Sequence, residues 1–250
     1  MTRSGWIRLA VLAGALALLE LLVRTGTVSS FAVSAPSTML TSLAAILQSG
    51  KYDGDIVATL RNVAVSIVAA TTAGVLAGTV LHGQRALRRV LDPLFATYYA
   101  IPIYAFYPLL LVLFGLGNLP QIAIGFLLAV VAVIISTLNG LDRVPRVLLK
   151  AARVHRLGPL AAAWRVRLPY ASPYIFTGFK LAVAYSFVGV IGAEFIAAST
   201  GIGYEISFAY NNFDNGTMYA LILFVLVLVI TINMALHLWE GRLLARRRRA

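Results

Sequence analysis

The stretch 218–239 sets the strongest limit on this chain: 22 consecutive residues without Asp, Glu, Lys or Arg. As a helix rising about 1.5 Å per residue it extends roughly 33 Å, which matches a bilayer hydrocarbon core of about 30 Å. A backbone in that core must satisfy its own N–H and C=O groups, and a helix does so within one segment. Five more segments are apolar enough to cross: 9–23, 58–82, 93–115, 119–140 and 172–197. The composition fits, since 60% of the 250 residues are hydrophobic and 12% are charged, against about 25% charged in soluble domains. The expected fold is an all-α membrane protein with about six transmembrane helices, in a single domain over residues 1–250.

The spans are not equivalent. Residues 9–23 form the shortest and carry Glu20, which marks that span as peripheral. Arg3 and Arg8 ahead of it also fit a signal peptide, whose removal leaves five spans and an outside N-terminus. Glu20 in the apolar core and the lack of a nearby small-residue cleavage site weigh against that reading. The second span is rich in Gly, Ala, Ser and Thr, and Gly74 and Gly78 have the spacing that lets two helix backbones approach. Residues 38–49 have one apolar face but are too short to cross, so an interfacial helix is expected there. Residues 146–167 mix basic and apolar side chains and cannot lie in hydrocarbon.

Basic residues set the orientation. Loops 83–92 and 141–171, with the termini 1–8 and 240–250, hold all of the 21 Lys and Arg except Arg24, Lys51, Arg61 and Lys180. The opposite loops, 24–57, 116–118 and 198–217, carry Asp53, Asp55, Glu205 and Asp214. An excess of Lys and Arg marks the cytoplasmic side, so both termini are expected in the cytoplasm, with the chain in the cell inner membrane. The net charge of +12 is then topological and points to no nucleic acid. The run 246–249 is expected as an anchor at anionic headgroups.

Most site chemistry is excluded. The absence of Cys removes disulfides, thiolate nucleophiles and zinc–cysteine sites. No Gly-x-x-x-x-Gly-Lys-Ser/Thr phosphate loop occurs, so ATP has to be bound elsewhere. His82, His155 and His237 stand in separate segments without metal-ligand spacing. Gly201-Ile202-Gly203 lacks the third glycine of a dinucleotide fingerprint and reads as a tight turn at the membrane surface. No catalytic residue, metal or cofactor is expected in this chain.

The stretch between the fourth and fifth spans is the most informative. It reads Leu148-Leu-Lys-Ala-Ala-Arg-Val-His-Arg-Leu-Gly158, then Pro159-Leu-Ala-Ala-Ala-Trp-Arg-Val-Arg-Leu-Pro169. Pro145 can start a helix and Gly158-Pro159 can break it. Residues 160–166 then form a second short helix ahead of Leu168-Pro169. Two short helices with Ala-rich faces, held at the membrane surface by arginines, suit docking to a soluble partner. A plain return loop anchored by charge is the alternative, and physics alone leaves the two even.

This stretch resembles the EAA loop of binding-protein-dependent ABC importer permeases. Their pattern is roughly Glu-Ala-Ala, three residues, Gly, nine residues, Ile, one residue, Leu-Pro. Ala151 and Ala152 match the alanines, Val166 falls at the Ile position, and Leu168 and Pro169 match outright. Two positions depart: Lys150 stands at the Glu position and Arg156 at the Gly position, with Gly158 two residues later. Further residues resemble the nitrate/sulfonate/taurine-type branch: Pro36-Ser37, Leu91-Asp92-Pro93, Ile101-Pro102, Pro108, Phe114-Gly115, Pro173, Gly178, Glu194 and Gly201-Ile202-Gly203-Tyr204. The resemblance thus covers nearly the whole chain. It implies one permease subunit of a dimeric membrane core, paired with a second permease copy or a paralogue. It also implies an ABC ATPase subunit, carrying ATP and Mg, docked on a coupling loop at about 141–171 that includes Lys150, Ala151, Ala152, Arg156, Gly158, Leu168 and Pro169. An extracytoplasmic substrate-binding protein would deliver solute to the other face. Members of the branch carry nitrate, sulfonates, bicarbonate, aromatic acids or pyrimidine vitamin precursors, so a small anion is the expected solute.

Ionisable groups within spans are costly and point to function. Lys180 and Glu194 share a helix face but lie about 21 Å apart along it, too far to pair. Lys180 either snorkels to the cytoplasm or draws an anion into a cavity. Glu194 either makes packing hydrogen bonds or belongs to an outer gate. Pro102 and Pro108 distort the third span, where Tyr104 and Tyr107 are candidates to line a translocation path. Tyr98 and Tyr99 fit an interfacial belt.

Three other functions fit a polytopic membrane chain less well. A secondary carrier needs no ATPase, but it often shows duplicated halves with broken helices, and no convincing duplication is visible. An intramembrane hydrolase needs a nucleophile facing a base, and the scattered Ser and His give no such pair. A structural scaffold is set aside by the resemblance and not by physics. The expected function is a non-enzymatic permease in an ATP-driven importer.

Overall fold

The computed structural model describes residues 3–29 and 31–247, and every regular element among them is helical. The chain opens with α1 (Arg3–Arg24) and α2 (Pro36–Ser49), the latter closed by Gly50 at φ +65°. Then come α3 (Asp53–Gly83), α4 (Arg85–Thr97), α5 (Tyr107–Phe114) and α6 (Asn118–Asp142). After these follow α7 (Arg146–Val154), α8 (Pro159–Ala162), α9 (Leu168–Ala197), α10 (Ile202–Asn211) and α11 (Asn215–Arg247). Among the described residues, four continuous stretches are long and apolar enough to cross a membrane: α3, α6, α8 running on into α9, and α11. They contain the spans predicted at 58–82, 119–140, 172–197 and 218–239. The span predicted at 9–23 falls within α1. The side chains of the 246–249 run, and of Arg3 and Arg8, lie outside the described residues.

Helix α6 is central, with α3 and α9 packed against it and against each other. Lipid tails are as apolar as Leu, so helices associate through close packing rather than hydrophobic drive. Small residues permit that closeness. A methyl on Gly189 of α9 would stand 2.6 Å from the Cα of Gly125 on α6. Gly74 and Gly78 of α3, the pair singled out in the sequence, face Val133 and Thr137 of α6 one turn apart. Around this core α2 rests on α11, and α10 packs against α9 and α11. Helix α1 stays outside, with Val11, Leu12, Leu16 and Leu18 exposed. Its Glu20 accepts hydrogen bonds from the Ser37 N–H (3.0 Å), the Ser37 hydroxyl (2.6 Å) and Arg24 Nε (2.6 Å). The residue that interrupts an apolar run therefore places a carboxylate at the N-terminus of α2.

Three elements differ from expectation. The span predicted at 93–115 is not one helix: α4 and α5 stand at 90° to one another, with tight turns at Tyr98–Ala100 and Ile103–Phe106 between them. Ile101 takes an extended backbone, φ −77° and ψ 125°, as a residue before proline prefers. Pro102 has no N–H with which to continue a helix. Pro108 then opens α5, where the missing N–H costs nothing.

The second loop helix predicted at 160–166 does not stop before Leu168-Pro169. It passes through a π turn at Ala163–Arg167 straight into α9. The Leu168 N–H reaches the Ala163 carbonyl five residues back, and Pro169 sits in the first turn of α9, where proline is tolerated. Helix α10 is the third difference, since the sequence reads only a turn and loop there.

Candidate functional site

The loop after α6 builds a compact knob at one end of the core. Pro145 precedes α7, and its carbonyl accepts the N–H groups of Leu148 (3.1 Å) and Leu149 (3.4 Å). At the far end of α7, Leu157 donates its N–H to the Ala152 carbonyl (3.0 Å) and Arg156 donates to Arg153 (2.9 Å). This six-to-one and five-to-two pair is a Schellman closure, which needs a left-handed residue and usually takes Gly there. Arg156 fills that place at φ +52°. It is also the position where the EAA pattern has Gly, so the chain keeps the turn and changes only the side chain.

Inside the knob, Ala152 and Ala162 are buried beside a hollow of about 360 Å³ lined also by Leu149, Leu157, Pro159 and Arg167. Outside it, Val147, Leu160 and Trp164 are exposed, and Val154 is 80% exposed. Lys150, Ala151, Gly158 and Pro169 are exposed too, and Leu168 is half-buried. Apolar side chains grouped in a basic frame suit contact with another protein.

At the opposite end of the core, Glu194 of α9 is 1% exposed. Its Oε2 accepts from the Thr59 hydroxyl (2.8 Å) and the Gly203 N–H (3.1 Å). Thr59 Oγ1 accepts the Ile202 N–H (2.8 Å), and Asp55 Oδ1 accepts the Gly201 N–H (2.8 Å). Three successive N–H groups at the start of α10 are thus satisfied by α3 and α9, and carboxylates suit a helix N-terminus. Gly201 sits at φ +105°, and a methyl there would collide with the Glu194 carboxylate. The glycine motif, expected as a tight turn, instead forms the N-cap and first residues of α10, wrapped around a buried acid. Burial, with Asp55 nearby, pushes the neighbouring Glu205 carboxyl above its usual range against the pull of Lys51.

The tyrosines of the broken span fasten it to the core. Tyr104 donates to the Val188 carbonyl (2.6 Å) across Gly192, where a methyl would strike its hydroxyl. Tyr107 is buried and donates to the Ala197 carbonyl (3.4 Å). Tyr98 and Tyr99 reach the Leu127 (2.9 Å) and Leu128 (3.4 Å) carbonyls of α6.

Lys180 is engaged: its Nζ lies 2.6 Å from Glu240 Oε2 on α11. Beside the pair, Phe176 and Trp239 meet edge to face at 5.3 Å. Lys180 therefore ties α9 to α11 and presents no free cation here. Sequence reasoning missed this partner, because Glu240 stands 60 residues away and the sequence alone does not show which faces of two helices meet.

Residues 70–249 match the family described as binding-protein-dependent transport system inner membrane component. The nitrate import permease protein NrtB of Leptolyngbya laminosa is 32% identical over 178 residues, 71% of this chain and 64% of that protein. The chain thus spans just under two thirds of that relative. NrtB of Synechococcus elongatus is 32% identical over 192 residues, 76% of this chain and 69% of that protein. The taurine transport system permease protein TauC of Escherichia coli K12 is 27% identical over 186 residues, 74% of this chain and 68% of that protein. The methionine ABC transporter MetNI, solved in inward-facing conformations, shares the fold with a TM-score of 0.66 and 19% identity, over 76% of this chain and 95% of the solved one. With the family matched over most of its length, including the loop, α6, α9 and the second half of α3, the chain belongs to the inner-membrane permeases of binding-protein-dependent ABC transporters.

Proposed function

We propose that this permease carries a small anion inward and is driven by a separate ABC ATPase subunit docked on α7. The observation that carries the reading is the knob itself. Val147, Val154, Leu160 and Trp164 are exposed on a turn closed through Arg156 at the family's glycine position. Lys150, Ala151, Ala152, Arg156, Gly158, Leu168 and Pro169 belong to this coupling loop, with Ala152 buried beneath its surface. ATP and Mg act on the partner, and this chain holds no cofactor.

In this reading residues 1–250 form one domain with six crossings, counting α1 and the bent α4–α5 pair, and both termini lie in the cytoplasm. The distribution of Lys and Arg supports that orientation. A second permease copy or paralogue completes the membrane core, and an extracytoplasmic binding protein delivers solute at the α10 face. The anion rests on the nitrate and taurine relatives; Lys180, paired with Glu240, no longer argues for it. Tyr104 is assigned to the wall of the path and Glu194 to the outer gate, where α10 is latched to α3 and α9. Tyr107 and Lys180 are assigned to holding helices together. Nucleotide on the partner biases a two-state membrane core from a distance.

Co-purification with the ATPase subunit tests this. Wild type is expected to form a stable complex, Val154→Asp to lose it with membrane insertion intact, and Arg156→Gly, which keeps the turn, to retain it. No complex with wild type would reopen the secondary-carrier reading. A Val154→Asp chain that still binds fully would place the contact elsewhere.

A further inference from the structure

Beside the coupling loop lies an ion pair that the site above does not use. Arg88 of α4 donates to both oxygens of Asp142, from Nη1 at 2.7 Å and Nη2 at 2.6 Å. Asp142 is the last residue of α6, three positions ahead of the Pro145 that opens α7. His82, near the end of α3, brings Nδ1 to 3.2 Å from Asp142 Oδ1. Asp92, one turn along α4, lies 3.6 Å from Arg88 Nε. Three helices therefore meet at a single carboxylate.

Packing holds α4 lightly. None of its side chains is fully buried; Leu91 and Phe95 rest partly buried on Leu81, Ile134 and Leu138, and a cavity of about 370 Å³ lined by Phe95, Leu138 and Asn139 opens between α4 and α6 next to the pair. A two-pronged guanidinium–carboxylate contact fixes direction as well as distance, which a single ammonium does not. The short connection from Asp142 to α7 is stiff as well. Val144 is buried, and the N–H groups of Arg143 and Val144 bond back to Gly140 and Leu141 (both 3.3 Å).

We infer that Arg88 and Asp142 form a strut through which motion of α7 reaches α4, and beyond the 90° bend α5 with Tyr104. This rests on the reading that the ATPase docks on α7. The pair is a positioning pair: it touches no solute, and it makes the broken span follow the coupling loop. Without it, the ATPase closes and hydrolyses ATP while α4 and α5 lag behind.

The complete permease–ATPase complex tests the strut. Spin labels are placed on Val112→Cys in α5 and Val188→Cys in α9, both exposed positions in a chain without native Cys. The distance between them is measured before and after trapping with ATP, Mg and vanadate. The distance is expected to change in the otherwise unaltered chain. Arg88→Ala should lose more than half of that change while ATP hydrolysis stays within about twofold, since remote coupling residues alter coupling without touching either site. The exchange Arg88→Asp with Asp142→Arg should restore it, and Arg88→Lys should fall between. A full distance change in both Arg88→Ala and Arg88→Lys overturns the strut. Failure of the unaltered chain to bind the ATPase would instead overturn the docking reading beneath it.

Discussion

The membrane-crossing parts of α6 and α11 are similar in length, 25 and 27 residues, and in apolar content, yet 56% of the most apolar stretch of α6 is buried, against 6% for α11. In water such a difference would be read from hydrophobicity. Here it cannot be, because lipid is as good a solvent for Leu as another helix is. What separates the two is side-chain size and polarity. Helix α6 presents Gly125, Ala129, Thr137 and Gly140 to its neighbours, and three of these face partners closer than a methyl would allow. Helix α11 presents Ile222, Leu226, Val227 and Ile230 outward, and along its middle Leu228, Val229, Ile232 and Leu236 rest only partly buried on Val63, Val183, Phe187 and Val190. Met218 and Leu221 pack with Tyr52, Ile202 and Ile206 at one end, and the Lys180–Glu240 pair with Phe176–Trp239 secures the other.

The sharpest way to break this contrast is to enlarge a seam glycine. Gly189→Leu forces α6 and α9 apart and is expected to cost about 3 kcal/mol or more, read as loss of monodisperse protein in detergent. Glu194→Ala comes next. It orphans the Gly203 N–H and the Thr59 hydroxyl in a buried site, and a loss of about 2–3 kcal/mol should lower the thermal midpoint. Lys180→Met removes the tie between α9 and α11, but both partners are partly exposed. Its expected cost is at most about 1 kcal/mol. The smallest effect is expected from Leu226→Ala on the outward face of α11, within about 0.5 kcal/mol. A large loss at Leu226 would show that face to be packed in the assembled protein.

The long crossing helices are legible in the sequence because hydrocarbon demands about 20 uninterrupted apolar residues. Gly74 and Gly78 are legible for a related reason, since their spacing places both on one helix face. The break at Ile101-Pro102 is legible as a disturbance but not as a right angle. That angle depends on where the Tyr98 and Tyr104 hydroxyls find carbonyls on α6 and α9. The Glu194–Thr59 bond spans 135 residues, and no local pattern announces a contact of that range. Helix α10 escapes notice because it is ten residues long and carries no full-length apolar run. Arg156 is the instructive intermediate case: the resemblance located a position where Gly is usual, and the structure shows that the left-handed turn persists without it.

The docking claim is open to one direct measurement, because the chain contains no Cys and a single introduced thiol reports without background. Val154→Cys on α7 and Val227→Cys on α11 are compared in membranes carrying the ATPase subunit, using a short bifunctional reagent that links thiols to nearby lysines. The account predicts a permease–ATPase adduct at Val154→Cys and none at Val227→Cys. No adduct at Val154→Cys despite full thiol reactivity, or equal adducts at both positions, would contradict it.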